Sequence, residues 1–126
     1  MANIIVVTPQ PVAITTVTVM QDIRTAIDIS AYDYLDLQVG LISVGGTGTL
    51  TVNFFTAMQN VVDDGSWASG GVNCGNVTFT QADVNKWKGL RLPDTSILLK
   101  YLRYQLIPGT LTSATVMISG MARRIA

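Results

Sequence analysis

The side chains from which a reaction centre is ordinarily assembled are few in this sequence and poorly spaced for the purpose. Cys74 is the single cysteine and there is no histidine. A nucleophilic thiol would therefore lack its usual base, and neither a Ser/His/Asp nor a Cys/His relay can be built. The same absence removes His-based zinc sites, because a lone Cys with Asp ligands is an unusual set. Paired-carboxylate chemistry would have to draw on Asp22, Asp28, Asp33 and Asp36. Of these, Asp33 and Asp36 flank Tyr34-Leu35 at a strand start, where Asp commonly closes a turn. Asp63-Asp64-Gly65 offers oxygen ligands, but calcium takes about six to eight and no EF-hand spacing follows. Gly45-Gly46-Thr47-Gly48 has the glycine content of a phosphate cradle. It lacks the Lys, and Thr49-Leu50-Thr51-Val52-Asn53-Phe54 after it reads as a strand where a cradle needs a helix. The expectation is a protein that is not an enzyme and uses no cofactor and no metal.

Aromatic side chains are the remaining candidates for recognition. Trp67 and Trp87 sit near loops, and Tyr32 and Tyr34 lie one strand period apart. Such rings could stack on sugars, as in a carbohydrate- or receptor-binding module. They could equally anchor a protein interface, where Trp and Tyr are enriched. No evenly spaced aromatic platform is apparent, which favours the interface.

Charge says more. Charged residues make up 13% of the chain, against about 25% in an ordinary soluble domain. Glutamate is absent, the acids are all Asp, and eight of them balance eight Lys and Arg. A protein that tracks a phosphate backbone concentrates basic charge on one face. Here Asp83 and Asp94 lie among the basic residues Lys86, Lys88, Arg91, Lys100 and Arg103, so no nucleic-acid partner is expected. A neutral, sparsely charged surface protects poorly against self-association. It makes sense if partners cover it, since interface cores are depleted of charge. No membrane partner is expected either: Pro9, Pro11 and four Thr break up residues 1–21, and four glycines interrupt Leu37–Val62.

The elements that must hold these residues are strands. Period-two alternation runs through Ile23–Ile29, through Leu35, Leu37, Val39 and Leu41, and through Leu50, Val52 and Phe54. It returns in Leu98, Leu102, Tyr104 and Leu106, and in Ala114, Val116 and Ile118. Fifteen Thr with many Val and Ile suit a pleated surface. Gly45–Gly48 reads as a hairpin, and Asp63–Ser66, Gly70-Gly71 and Pro108-Gly109 as further turns. A short helical turn is expected at Gln81–Lys86, with Thr80 as its N-cap. At 126 residues one domain is expected. Its class is all-β, a single antiparallel β-sandwich of jelly-roll type built from seven or eight short strands. Residues 1–11 stand apart from the sandwich at 12–126, because Pro9-Gln10-Pro11 ends the apolar run Ile4-Ile5-Val6-Val7. That segment reads either as an edge strand or as an arm onto a neighbouring subunit.

Tyr32-Asp33-Tyr34-Leu35, then Gly46-Thr47-Gly48, then Thr56–Asn60 leading to Trp67, and finally Tyr101-Leu102-Arg103-Tyr104 form a familiar succession. Over residues 25–120 it resembles the small β-sandwich proteins in the structural modules of tailed bacteriophages. The resemblance implies a virion structural protein, most simply a capsid cement or decoration protein on the outer shell. Head-fibre, tail or baseplate subunits are the alternatives within that class. It further implies self-association as a homotrimer, the major capsid protein as partner, and no small-molecule substrate. The candidate partner contacts are Ile4, Ile5, Val6 and Val7 of the arm, the aromatics Tyr32, Tyr34, Trp67 and Trp87, and Arg123 and Arg124 of the tail.

Overall fold

Alternating branched apolar and polar residues can bury one strand face while leaving the other wet, and the chain does so in two layers. A computed structural model describes residues 2–58, 71–94 and 97–124. Ten strand segments form there: β1 Ala2–Val6, β2 Val12–Ile14, β3 Val19–Met20, β4 Ile27–Asp28, β5 Tyr34–Gly46, β6 Thr49–Ala57, β7 Val72–Thr80, β8 Trp87–Leu92, β9 Tyr101–Pro108 and β10 Leu111–Arg123. One sheet has the order β1-β10-β5-β8, with β2 also along β10. The other has the order β3-β9-β6-β7, with β4 also along β9. Every pairing is antiparallel. Because β1 and β2 share one partner, and β3 and β4 another, the ten segments fill eight positions. These positions are exchanged between the sheets in the manner of a jelly roll. The protein is an antiparallel β-sandwich.

The core lies between the layers. Leu35, Leu37, Val39 and Leu41 of β5 face Leu50, Val52 and Phe54 of β6 and Leu102 and Leu106 of β9, all of them buried. Ala114, Val116 and Ile118 of β10 complete it. One buried cation takes part: Arg103 donates from Nε to the Gln21 carbonyl at 2.8 Å, and a terminal nitrogen donates to the same oxygen. Gln21 in turn accepts from the Tyr104 N–H through its side chain and donates its own N–H to the Tyr104 carbonyl. Together these bonds hold the segment after β3 against β9.

Several expectations change. Gly45–Gly48 does not make a hairpin, for β5 and β6 belong to different sheets. The glycines turn a corner instead, with φ of 81° at Gly46 and 139° at Gly48, values that favour a residue without Cβ. Thr110 Oγ1 ties this corner to the one at Pro108-Gly109 by donating to the Thr47 carbonyl at 2.6 Å. The strand expected over Ile23–Ile29 shrinks to Ile27–Asp28, because a 3-10 turn takes Ile23–Thr25. Asp22 nucleates that turn: its carboxylate accepts from the Arg24 N–H at 2.9 Å and its carbonyl from the Thr25 N–H. The helical turn after Thr80 is a single 3-10 turn, Gln81–Asp83, in which the Thr80 N–H donates to Asp83 Oδ2 at 2.9 Å.

The N-terminal segment is paired within its own chain. Residues 2–6 run along Ser119–Arg123 of β10. Val7 is 5% exposed in the core, Ile5 packs against it, and Ile4 and Val6 are 79% and 57% exposed. Of the two readings of this segment, residues 2–6 form the edge strand. Two of the four aliphatic side chains already belong to this chain's core.

Candidate functional site

The exposed apolar side chains of the first sheet gather on its outer face. Register carries this face across four strands. Ile4 lies beside Met121, Met121 beside Asp36, and Asp36 beside Arg91. The next row outward runs Val6, Ser119, Gln38, Gly89, and the one after it Met117, Gly40, Trp87. Trp87, on the edge strand β8, is 47% exposed. Its indole lies against Gly40 so closely that a Cβ there would come within 2.6 Å of the ring. Gly40 is thus a seat for the ring and leaves its far side open.

At the end of the face nearest Tyr34, one carboxylate joins two arginines. Arg91 donates from Nε to Asp36 Oδ1 at 2.6 Å and from a terminal nitrogen to Oδ2 at 3.1 Å, and Arg123 Nε donates to Oδ2 at 3.0 Å. The Arg91 guanidinium sits 4.5 Å from the centre of the Tyr34 ring, within cation–π range. Hydrogen bonds from Arg91 hold the Asp36 carboxyl below the ordinary carboxylate range; burial opposes the shift and Arg123 reinforces it. The same pairing raises Arg91. The cluster is a charge-bearing rim beside an apolar band, a composition suited to protein contact.

Of the sequence-derived contact residues, Ile4, Val6, Tyr34, Trp87 and Arg123 come together on this face. Ile5 and Val7 point into the core instead. Tyr32 precedes β5, packs on the core and accepts a hydrogen bond from Asn3 Nδ2 at 2.6 Å, so it shares no strand with Tyr34. Arg124 is exposed just beyond β10. Trp67 and Asp63-Asp64-Gly65 lie outside the described residues. Asp36, Arg91, Met117 and Met121 were not singled out as contacts from the sequence. Parity within β5 pairs Asp36 with Tyr34, but its partners lie 55 and 87 residues away.

The remaining chemical candidates are dispersed. Asp22 binds Arg24 at 3.1 Å, and Asp28 accepts from the Ser30 hydroxyl at 2.6 Å. Among the described residues no three Cys or Asp side chains come together as a metal site would require. Cys74 is buried and its Sγ lies 3.4 Å from the Phe54 carbonyl. Burial pushes its thiol up to about 12, so it stays protonated at neutral pH, unlike a reactive thiolate. No helix among the described residues is long and apolar enough to cross a membrane.

Fold and face together define a jelly-roll β-sandwich with one mixed apolar and ion-paired sheet surface. No family model matches the sequence, and no curated protein matches it. Among solved structures, the crystal structure of PirA is similar at a TM-score of 0.47 and 13% identity, over 94% of this chain and 92% of that one.

Proposed function

We propose that this chain is a virion structural protein, a cement or decoration block that attaches to the outer surface of a capsid by contacting the major capsid protein. The observation that carries the reading is the outer face of β1-β10-β5-β8. There Ile4, Val6 and Trp87 stand exposed beside the Arg91–Asp36–Arg123 cluster. Exposed aromatic and arginine side chains on a rigid sheet are the usual energetic anchors of protein interfaces. The resemblance of the Tyr32–Leu35, Gly46–Gly48 and Tyr101–Tyr104 segments to phage structural sandwiches gives the partner its identity. The role is mechanical: the sandwich is a stiff spacer, and the face grips neighbouring shell subunits.

The test is co-sedimentation with shells assembled from the major capsid protein encoded near this chain, comparing the unaltered protein with Trp87→Ser. The unaltered chain is expected to pellet with shells and raise their resistance to heat. Trp87→Ser is expected to bind at least about tenfold more weakly, as for loss of an interface anchor. Full-strength binding by Trp87→Ser, or no binding by either protein, sinks the reading. A second reading rests on the seat at Gly40, which presents one open indole face as sugar-binding sandwiches do. Glycan-array binding abolished by Trp87→Ser would favour it.

A further inference from the structure

Sheet edges expose backbone donors and acceptors, and natural sandwiches blunt them with charge, Pro, bulges or covering side chains. Three of the four edges here are blunted. The edge strand β8 carries Lys88 and Arg91. On β7 the Thr78 carbonyl accepts from Lys88 Nζ at 2.7 Å, and the Cys74 carbonyl accepts from the Asp94 N–H at 2.7 Å. The edge opposite β7 is broken into the two-residue segments β3 and β4, the latter holding Asp28. By contrast β1, with sequence Ala2-Asn3-Ile4-Ile5-Val6, has no charge and no Pro.

The hydrogen-bond phase of β1 sharpens this. The Val7 N–H donates to the Ile118 carbonyl, continuing the register in which Val6 faces Ser119. Bonded and non-bonded pairs alternate in an antiparallel ladder. Asn3 and Ile5 therefore bond to β10, while the N–H and C=O of Ile4 and Val6 point away from it. These are also the two residues whose apolar side chains are exposed.

We propose that β1 pairs antiparallel with β1 of a second copy about a two-fold axis, joining two five-stranded sheets edge to edge. In the register centred on Ile5, Ile4 of one copy lies opposite Val6 of the other. The exposed backbone groups are then exchanged in bonded pairs, and apolar side chains meet on the outer face. A second copy fits because its edge is equally neutral: no charge is desolvated, and the same patch serves both partners, as a two-fold interface requires. The proposal deepens the assembly reading by naming the self-contact, and it implies a two-fold unit where the phage resemblance implies a trimer.

The experiment is sedimentation of the full chain over a dilution series, with Ile4→Pro and Ile4→Thr beside it. Pro at position 4 removes only an N–H that β10 does not use, while Thr keeps the edge and loses the apolar side chain. The unaltered chain and Ile4→Thr are expected at twice the 13.5 kDa monomer mass, and Ile4→Pro at the monomer mass. Amide exchange on the unaltered protein covers the case in which Ile4→Pro misfolds. The Ile4 and Val6 amides should gain protection as concentration rises, whereas Asn3 and Ile5 stay protected throughout. A monomer at every concentration, a trimer, or Ile4 and Val6 amides that exchange freely in the oligomer overturns the edge pairing. Shell binding is read separately, so a failure there is distinguishable from a failure here.

Discussion

Asp36→Asn isolates the ion-pair cluster on the outer face, because Asn keeps the shape of the side chain and removes its charge. Asp36 serves two arginines, and the side chains of Arg91, Arg123 and Asp36 are 64%, 36% and 32% exposed. At that exposure each pair contributes only about 0.2–1 kcal/mol after screening, so the loss should be about 1 kcal/mol for both. With an unfolding entropy of about 2.1 cal/mol/K per residue, 126 residues convert this to a Tm drop of about 4 °C at neutral pH. The sign with pH follows from the lowered Asp36 carboxyl. A carboxylate depressed in the folded state stabilises above its unfolded value and loses that contribution as pH falls through the folded one. The gap between the two proteins should therefore be full at neutral pH and narrow steadily below about pH 4. Differential scanning calorimetry across that range reads it, and added salt should shrink it at neutral pH. A gap that is constant with pH would show that Asn costs stability through packing, and that the cluster holds no charge-dependent energy.

Two further outcomes test the packing. At Gly120, which lies opposite Leu37 in the β10–β5 pair, a Cβ would come within 2.1 Å of the Asp36 carbonyl and 2.8 Å of Leu37 Cα. Both are backbone atoms, so Gly120→Ala is expected to cost about 3 kcal/mol or to prevent folding, as chemical denaturation would read. Cys74 should ignore a thiol reagent at mildly alkaline pH in the folded protein and react fully once denatured, since burial both covers the sulfur and pushes its ionisation up to about 12. Rapid labelling of the folded chain would contradict that placement.

What was legible in the sequence is what local alternation encodes. Leu35, Leu37, Val39 and Leu41 announce both a strand and its buried face, and the structure buries all four. Alternation says nothing about the sheet to which a strand belongs, and Gly45–Gly48 shows the consequence. A glycine turn between two alternating runs looks the same whether it closes a hairpin or turns a corner between layers. The ion-pair cluster was hidden for a related reason, since Asp36 meets Arg91 and Arg123 through the register of strands far apart in the chain. Ile4-Ile5-Val6-Val7 is ambiguous for a different reason. When both faces of an edge strand are apolar, period two disappears from the sequence, which leaves edge strand and arm as alternatives until the pairing with β10 is seen.

The zero net charge also means more once the charges have positions. Asp22 sits with Arg24, Asp83 with Lys86 and Lys88, and Asp36 with Arg91 and Arg123. Opposite charges are offset within each cluster, with one cation in surplus at Asp83 and one at Asp36, so only a weak field is left to hold copies apart. What restrains association is then the placement of single charges along sheet edges, with Lys88 and Arg91 on β8 and none on β1. On the proposed β1 pairing, that asymmetry limits the size of the assembly. Two copies joined through β1 present only their β8 edges at the ends of the shared sheet, and each end is charged. A third copy would have to lay an apolar β1 against the strand that carries the Lys88–Asp83 and Arg91–Asp36 pairs, drawing those charges partly out of water for no new polar contact. On the proposed pairing, growth by this edge therefore closes at two, and the proposed contact with a shell would use the face instead.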